Sequence, residues 1–148
     1  MTALEKIRNW LRSYPRISQI QDLKVDYYSQ TPDDSSIAPS GLVEVSRKED
    51  VLGNVTVQNQ YNFILYFVLA KPINDDSIST ENAAWLLEFQ AWVQEQSIRG
   101  EVPFFGDDPK NETIKAQNGT NDGVSQDGTT GLYTVLLSVN FTKIYKEE

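Results

Sequence analysis

The stretch from Val55 to Ala70 (VTVQNQYNFILYFVLA) holds neither proline nor glycine and follows one alternation along its length. Val55, Val57, Tyr61, Phe63, Leu65, Phe67 and Leu69 share one parity, with Asn59 as the polar exception. Successive side chains of a strand point to opposite faces, so this parity predicts a long strand with one face in a core. The other parity starts polar (Thr56, Gln58, Gln60, Asn62) and turns apolar (Ile64, Tyr66, Val68). The first half is therefore expected to have a wet face and the second half to be covered on both sides. A chain built around such a strand needs further strands beside it and a layer above it.

The other strands are read from the same signal. Leu23, Val25 and Tyr27 alternate with polar neighbours, residues 42–49 (LVEVSRKE) make a second strand, and Gly53-Asn54 marks a turn where positive φ is cheap. Residues 112–117 form a short strand. Residues 132–145 form a long one, with Tyr133, Val135, Leu137, Val139 and Phe141 on one face. The tail Lys146-Glu147-Glu148 is expected to fray.

Two helices complete the pattern. Thr2 and Glu5 have capping-box spacing, and Leu4, Ile7 and Leu11 recur at helical intervals up to the stop at Pro15. Ser79 or Thr80 is placed to cap a second helix running to about Arg99, with Gly100 as its stop. Its apolar stripe is Trp85, Leu86, Phe89, Trp92 and Val93, a set that fits core packing rather than a cofactor pocket. The predicted fold class is α+β: one domain, 1–148, with a mostly antiparallel or mixed sheet and helices on one face. Polar loops are expected at about 29–41 and 118–131.

Composition removes whole classes of chemistry. The 148 residues include no cysteine and no histidine. Disulfides, thiolate metal sites, a Ser-His-Asp triad and His-based zinc sites are thereby excluded. Phosphate-cradling glycine motifs and a nucleophile elbow are absent too. The segment Asn118-x-Thr120-x-Asp122-Gly123 partly matches a calcium loop, but Thr129 stands where the closing acidic ligand belongs. The pairs Asp33-Asp34, Asp75-Asp76 and Asp107-Asp108 adjoin proline or serine, where aspartate commonly supplies turn hydrogen bonds. No catalytic, cofactor-binding or metal-ligating residue is assigned, and no cofactor is expected.

The charge is −8, from 13 basic against 21 acidic residues. Phosphate backbones and anionic membranes repel such a chain, so no specific nucleic-acid binding and no membrane association are expected. The tyrosines 27, 28, 61, 66 and 133 lack the basic groove that a single-strand platform needs. The longest apolar run, Phe63 to Ala70, falls far short of the roughly 20 residues of a membrane helix. Without a signal-peptide pattern, assembly in the cytoplasm is expected, and the sequons at Asn54, Asn111, Asn118 and Asn140 are read as incidental.

The order of elements carries a resemblance. A capped first helix ends near Pro15 and is followed by a Pro/Asp/Ser loop and the strand L-V-E-V at 42–45. Next come the aromatic strand YNFILYFVLAK (61–71), the helix ENAAWLLEFQAWVQEQ (81–96), the segment P-F-F-G-D (103–107) and the last strand LYTVLLSVNFTKIY (132–145). This arrangement resembles the small tail-terminator and minor virion proteins of long-tailed bacteriophages and prophages. The resemblance implies an α+β domain that forms a ring, typically of about six copies. Such a ring caps the tail tube, ends its polymerisation and offers a surface to the head-completion protein, without catalysis. Ring contacts are expected from the first helix and the sheet edges, with the loops 29–41 and 118–131 as arms. A phage head-completion or head–tail joining protein is the neighbouring reading. A ligand-binding α+β domain, with the aromatics of 61–69 and 85–93 around a pocket, is a reading of another class. An enzyme relying on Asp, Tyr or Lys alone is a third.

Overall fold

A computed structural model describes residues 2–15, 24–25, 35–70, 76–124 and 130–147. The elements are α1 (Ala3–Leu11), β1 (Lys24–Val25), β2 (Ser35–Glu49), β3 (Val55–Ala70), α2 (Asp76–Ile98), β4 (Thr113–Val124) and β5 (Thr130–Tyr145), with a 3-10 turn at Pro109–Asn111 before β4. The fold is α+β. The sheet order is β1-β2-β3-β5-β4, with every pairing antiparallel except the short parallel contact of β1 with β2.

The alternation in β3 selects the layer. Phe63, Leu65, Phe67 and Leu69 are buried, and register aligns them with Leu137, Val135, Tyr133 and Gly131 of β5. Both helices pack on this face. Trp85, Phe89 and Val93 of α2 and Ile7, Trp10 and Leu11 of α1 join the same core cluster. The two helices meet through aromatic rings: Trp10 stacks on Trp92 at 5.1 Å, and Tyr14 meets Trp85, Phe89 and Trp92. The Thr2 cap is made, with Glu5 N–H donating to its hydroxyl at 3.2 Å. The helix ends at Leu11, ahead of Pro15, because the Ser13 and Tyr14 amides turn back to the Trp10 and Leu11 carbonyls.

Four expectations are corrected. Residues 35–41 are strand, because β2 starts at Ser35. Residues 118–124 are strand as well, within β4, and 130–131 begin β5. Strand pairing with β3 and β5 overrides the turn-like composition, and register shifts at Pro39/Leu42 and Gln117/Thr120 absorb the misfit residues. Asn118, at φ 59, takes one of those irregular positions. The remainder of both expected loops, 29–34 and 125–129, lies outside the described residues, as do Tyr27 and Tyr28. Within the tail that was expected to fray, Glu147 is tied, since its N–H donates to the Asn54 side chain at 2.9 Å, and Glu148 lies outside the described residues. Helix α2 starts at Asp76, a turn earlier than the Ser79 or Thr80 cap.

Candidate interaction surface

Beyond Gln60 the sheet narrows into a three-stranded arm. Its strands are the second half of β2, the first half of β3 and the end of β5, aligned as Glu49↔Val55↔Tyr145 at the tip. All of β2 from Pro39 to Glu49 is exposed. Apolar side chains nevertheless continue along it: Leu42, Val43 and Val45 on β2, Val51 and Leu52 in the turn, and Ile144 and Tyr145 at the end of β5. Scattered exposed hydrophobes are ordinary, but seven on one projecting element, with Leu42 and Tyr145 on its helix-side face and Val43 and Ile144 on the other, suit it to contact.

The arm is built to be rigid. At its tip the Asp50 carboxylate accepts hydrogen bonds from the Leu52 and Asn54 amides and from the Asn54 side chain. These bonds, with Asn54 the largest contributor, hold the Asp50 carboxyl below the usual carboxylate range. Gly53 supplies the positive φ, 87°, that the turn requires. On the flank facing away from the helices, side-chain hydrogen bonds tie β3 to β5: Gln60 to Asn140, Ser138 to Asn62 and Thr142 to Gln58.

The edges of the sheet are protected unequally. The β4 edge is covered by α2, where Ser97 Oγ accepts from the Ile114 amide and Gln90 Nε2 donates to the Ala116 carbonyl. The β5 edge beyond β4 is covered by the P-F-F-G-D segment. Asp107 N–H donates to the Thr142 carbonyl at 2.7 Å, and the Asp107 carboxylate accepts from the Ile144 amide at 2.8 Å. The buried Glu112 holds that segment in place by accepting from the Phe105 and Gly106 amides. β1 covers β2 only at Ser36 and Ile37. The rest of the β2 edge has no strand beside it among the described residues. It carries Pro39, two register shifts, Arg47 and Lys48, which are devices that discourage backbone pairing. The arm is thus suited to contact through side chains rather than through an added strand.

A second exposed apolar surface lies on α2. Leu87 is 68% exposed and Ile98 78%, both on the side opposite the core. Beside it a groove of about 640 Å³ runs between α2 and β4, lined by Gln90, Gln94, Ser97, Ile98 and residues 113–117. A smaller apolar hollow of about 280 Å³ sits at the base of the arm between Leu4, Leu42, Tyr61 and Phe63.

The remaining candidates from the sequence have structural employment where they are described. The Asp108 carboxylate accepts from Asn111 Nδ2, and Asp107 guards the β5 edge. Asp33, Asp34 and Asp75 lie outside the described residues. No group of three acidic side chains that could hold a metal occurs among the described residues. Most aromatics proposed to line a ligand pocket pack on each other instead, with Phe67 4.9 Å from Trp85 and 5.6 Å from Phe89. No helix among the described residues is long and apolar enough to cross a membrane. The arm and the outer side of α2 were both missed in the sequence, although the spacing of Leu87, Ala91, Gln94 and Ile98 was there to be read. The chain matches no protein-family model and no curated protein.

Proposed function

We propose that the chain is a structural, non-enzymatic protein that assembles with copies of itself into a ring on the tail tube of a long-tailed bacteriophage. The ring ends tube growth and presents a surface to the head. The observation that carries this reading is the projecting arm, which exposes Val43, Val45, Val51 and Leu52 on a rigid frame. A lone soluble chain gains nothing from such an element, whereas an assembling one buries it. The net charge of −8 supports the same reading, because a conduit lined by acidic subunits repels the DNA that slides through it.

The first test is absolute mass by light scattering on a size-exclusion column over a range of concentrations. A closed oligomer near about six copies is the expected result. Purified protein added to growing tail tubes should then shorten their length distribution and appear at one end by electron microscopy. Binding to filled heads in place of tubes would assign the head-joining role instead. No binding to either, together with a monomeric mass, would remove the phage reading.

A further inference from the structure

Helix α2 has two apolar sides. Trp85, Phe89 and Val93 face the core. Ala84, Leu87, Ala91, Gln94 and Ile98 recur at spacings of three and four and are all exposed. At about 100° per residue the two stripes lie on opposite sides of the helix. A helix that is apolar on both sides is ordinarily covered on both. The carboxylates Glu81, Glu88 and Glu95 follow one flank of the outer stripe at seven-residue intervals, Glu95 being paired with Arg99 at 3.0 Å, and the groove against β4 follows the other.

The arm offers the complement. Register places Val43, Lys48, Thr56 and Ile144 on its face turned away from the helices, with the uncharged polar Ser46, Gln58 and Gln60 between them. No described strand residue on that face is a carboxylate, although the chain as a whole is acidic. The apolar tip, Val51 and Leu52, stands at the end of this face. The arm strand from Leu42 to Glu49 extends about 23 Å at about 3.3 Å per residue. The outer stripe from Ala84 to Ile98 extends about 21 Å at 1.5 Å per residue.

We propose that the arm of one copy lies along the outer side of α2 in the next copy. Leu52 and its apolar neighbours cover Leu87 and Ile98, and Lys48 comes toward the Glu88/Glu95 flank. The contact rests on the self-assembly proposed above and supplies its geometry. The two surfaces lie on opposite sides of one sheet, so the contact is head-to-tail and propagates to a ring rather than closing as a two-fold pair. An antiparallel two-fold pairing of α2 with its own copy would bring the Glu81, Glu88 and Glu95 flanks together, which like charges oppose.

The test uses two full-length double variants, Val51→Asp/Leu52→Asp on the arm and Leu87→Asp/Ile98→Asp on the helix. All four side chains are exposed, so both variants should keep the circular dichroism spectrum and melting profile of the parent. Sedimentation equilibrium up to millimolar chain concentration is the readout. The parent should assemble, and each variant alone should lose at least about tenfold in association constant. An equimolar mixture should give a one-to-one heterodimer and nothing larger, because one intact arm still meets one intact stripe. A variant that assembles like the parent, or a mixture that yields no heterodimer, would overturn the contact, as would a parent that stays monomeric throughout. Tail capping separates this from the function. A chain that assembles this way without capping tubes keeps the contact and loses the tail role. Capping by the parent and both variants alike loses the contact and keeps the role.

Discussion

Gly106 shows how one position can depend on a residue far along the chain. A Cβ there would overlap the carbonyl oxygen of Thr142, which is also the acceptor for Asp107 N–H. Gly106→Ala should therefore push the 103–107 segment off the β5 edge. A loss of about 2 kcal/mol is expected in urea unfolding, with faster hydrogen exchange at the Ile144 amide. Nothing in the sequence around Gly106 announces this, since the obstacle belongs to another strand. Gly53-Asn54 is the opposite case: the turn was legible because its cause is local. Asp50 in that turn has a lowered carboxyl pKa, so its contribution is present above the ordinary carboxylate pKa and is lost as pH falls through the lower folded value. In Asn54→Ala the largest cause is removed, and an NMR titration should show the Asp50 carboxyl moving up toward the ordinary range.

At the scale of elements, α2 separates its two stripes by energy. Phe89 is fully buried, and Phe89→Ala should cost about 3–5 kcal/mol by transfer and cavity terms. Leu87, one helical half-turn away and 68% exposed, should change monomer stability by no more than about 0.5 kcal/mol on substitution by alanine. Thermal and urea unfolding of the two variants would check the contrast. The inner stripe was read from the sequence because large aromatics dominate a periodicity argument. The outer stripe escaped notice because alanine and glutamine weaken the same signal. The ends of β2 and β4 escaped for another reason. Pro39, Gly41, Asn118 and Gly119 read as loop, yet the neighbouring strands β3 and β5 supply hydrogen-bond partners that local propensity cannot foresee.

For the whole molecule, charge and apolar contact act in opposite directions on assembly. Copies of net charge −8 repel each other at low salt, and this repulsion is screened as the Debye length falls toward about 8 Å at physiological ionic strength. Association through the arm and α2 should therefore tighten from low to physiological salt, which sedimentation at several salt concentrations would measure. Weakening over that range would mean that the Lys48–carboxylate attraction outweighs the repulsion between the acidic chains. The sequence alone determined the α+β class, the buried parity of β3 and β5, the inner face of α2 and the loss of Cys and His chemistry. Each of these follows from residue type or from periodicity within one segment. The tertiary structure alone decided the strand order β1-β2-β3-β5-β4, which edges are covered, and that β2 runs past β1 and stays exposed from Pro39 to Glu49. Those features depend on which distant segments meet, and no local pattern records that.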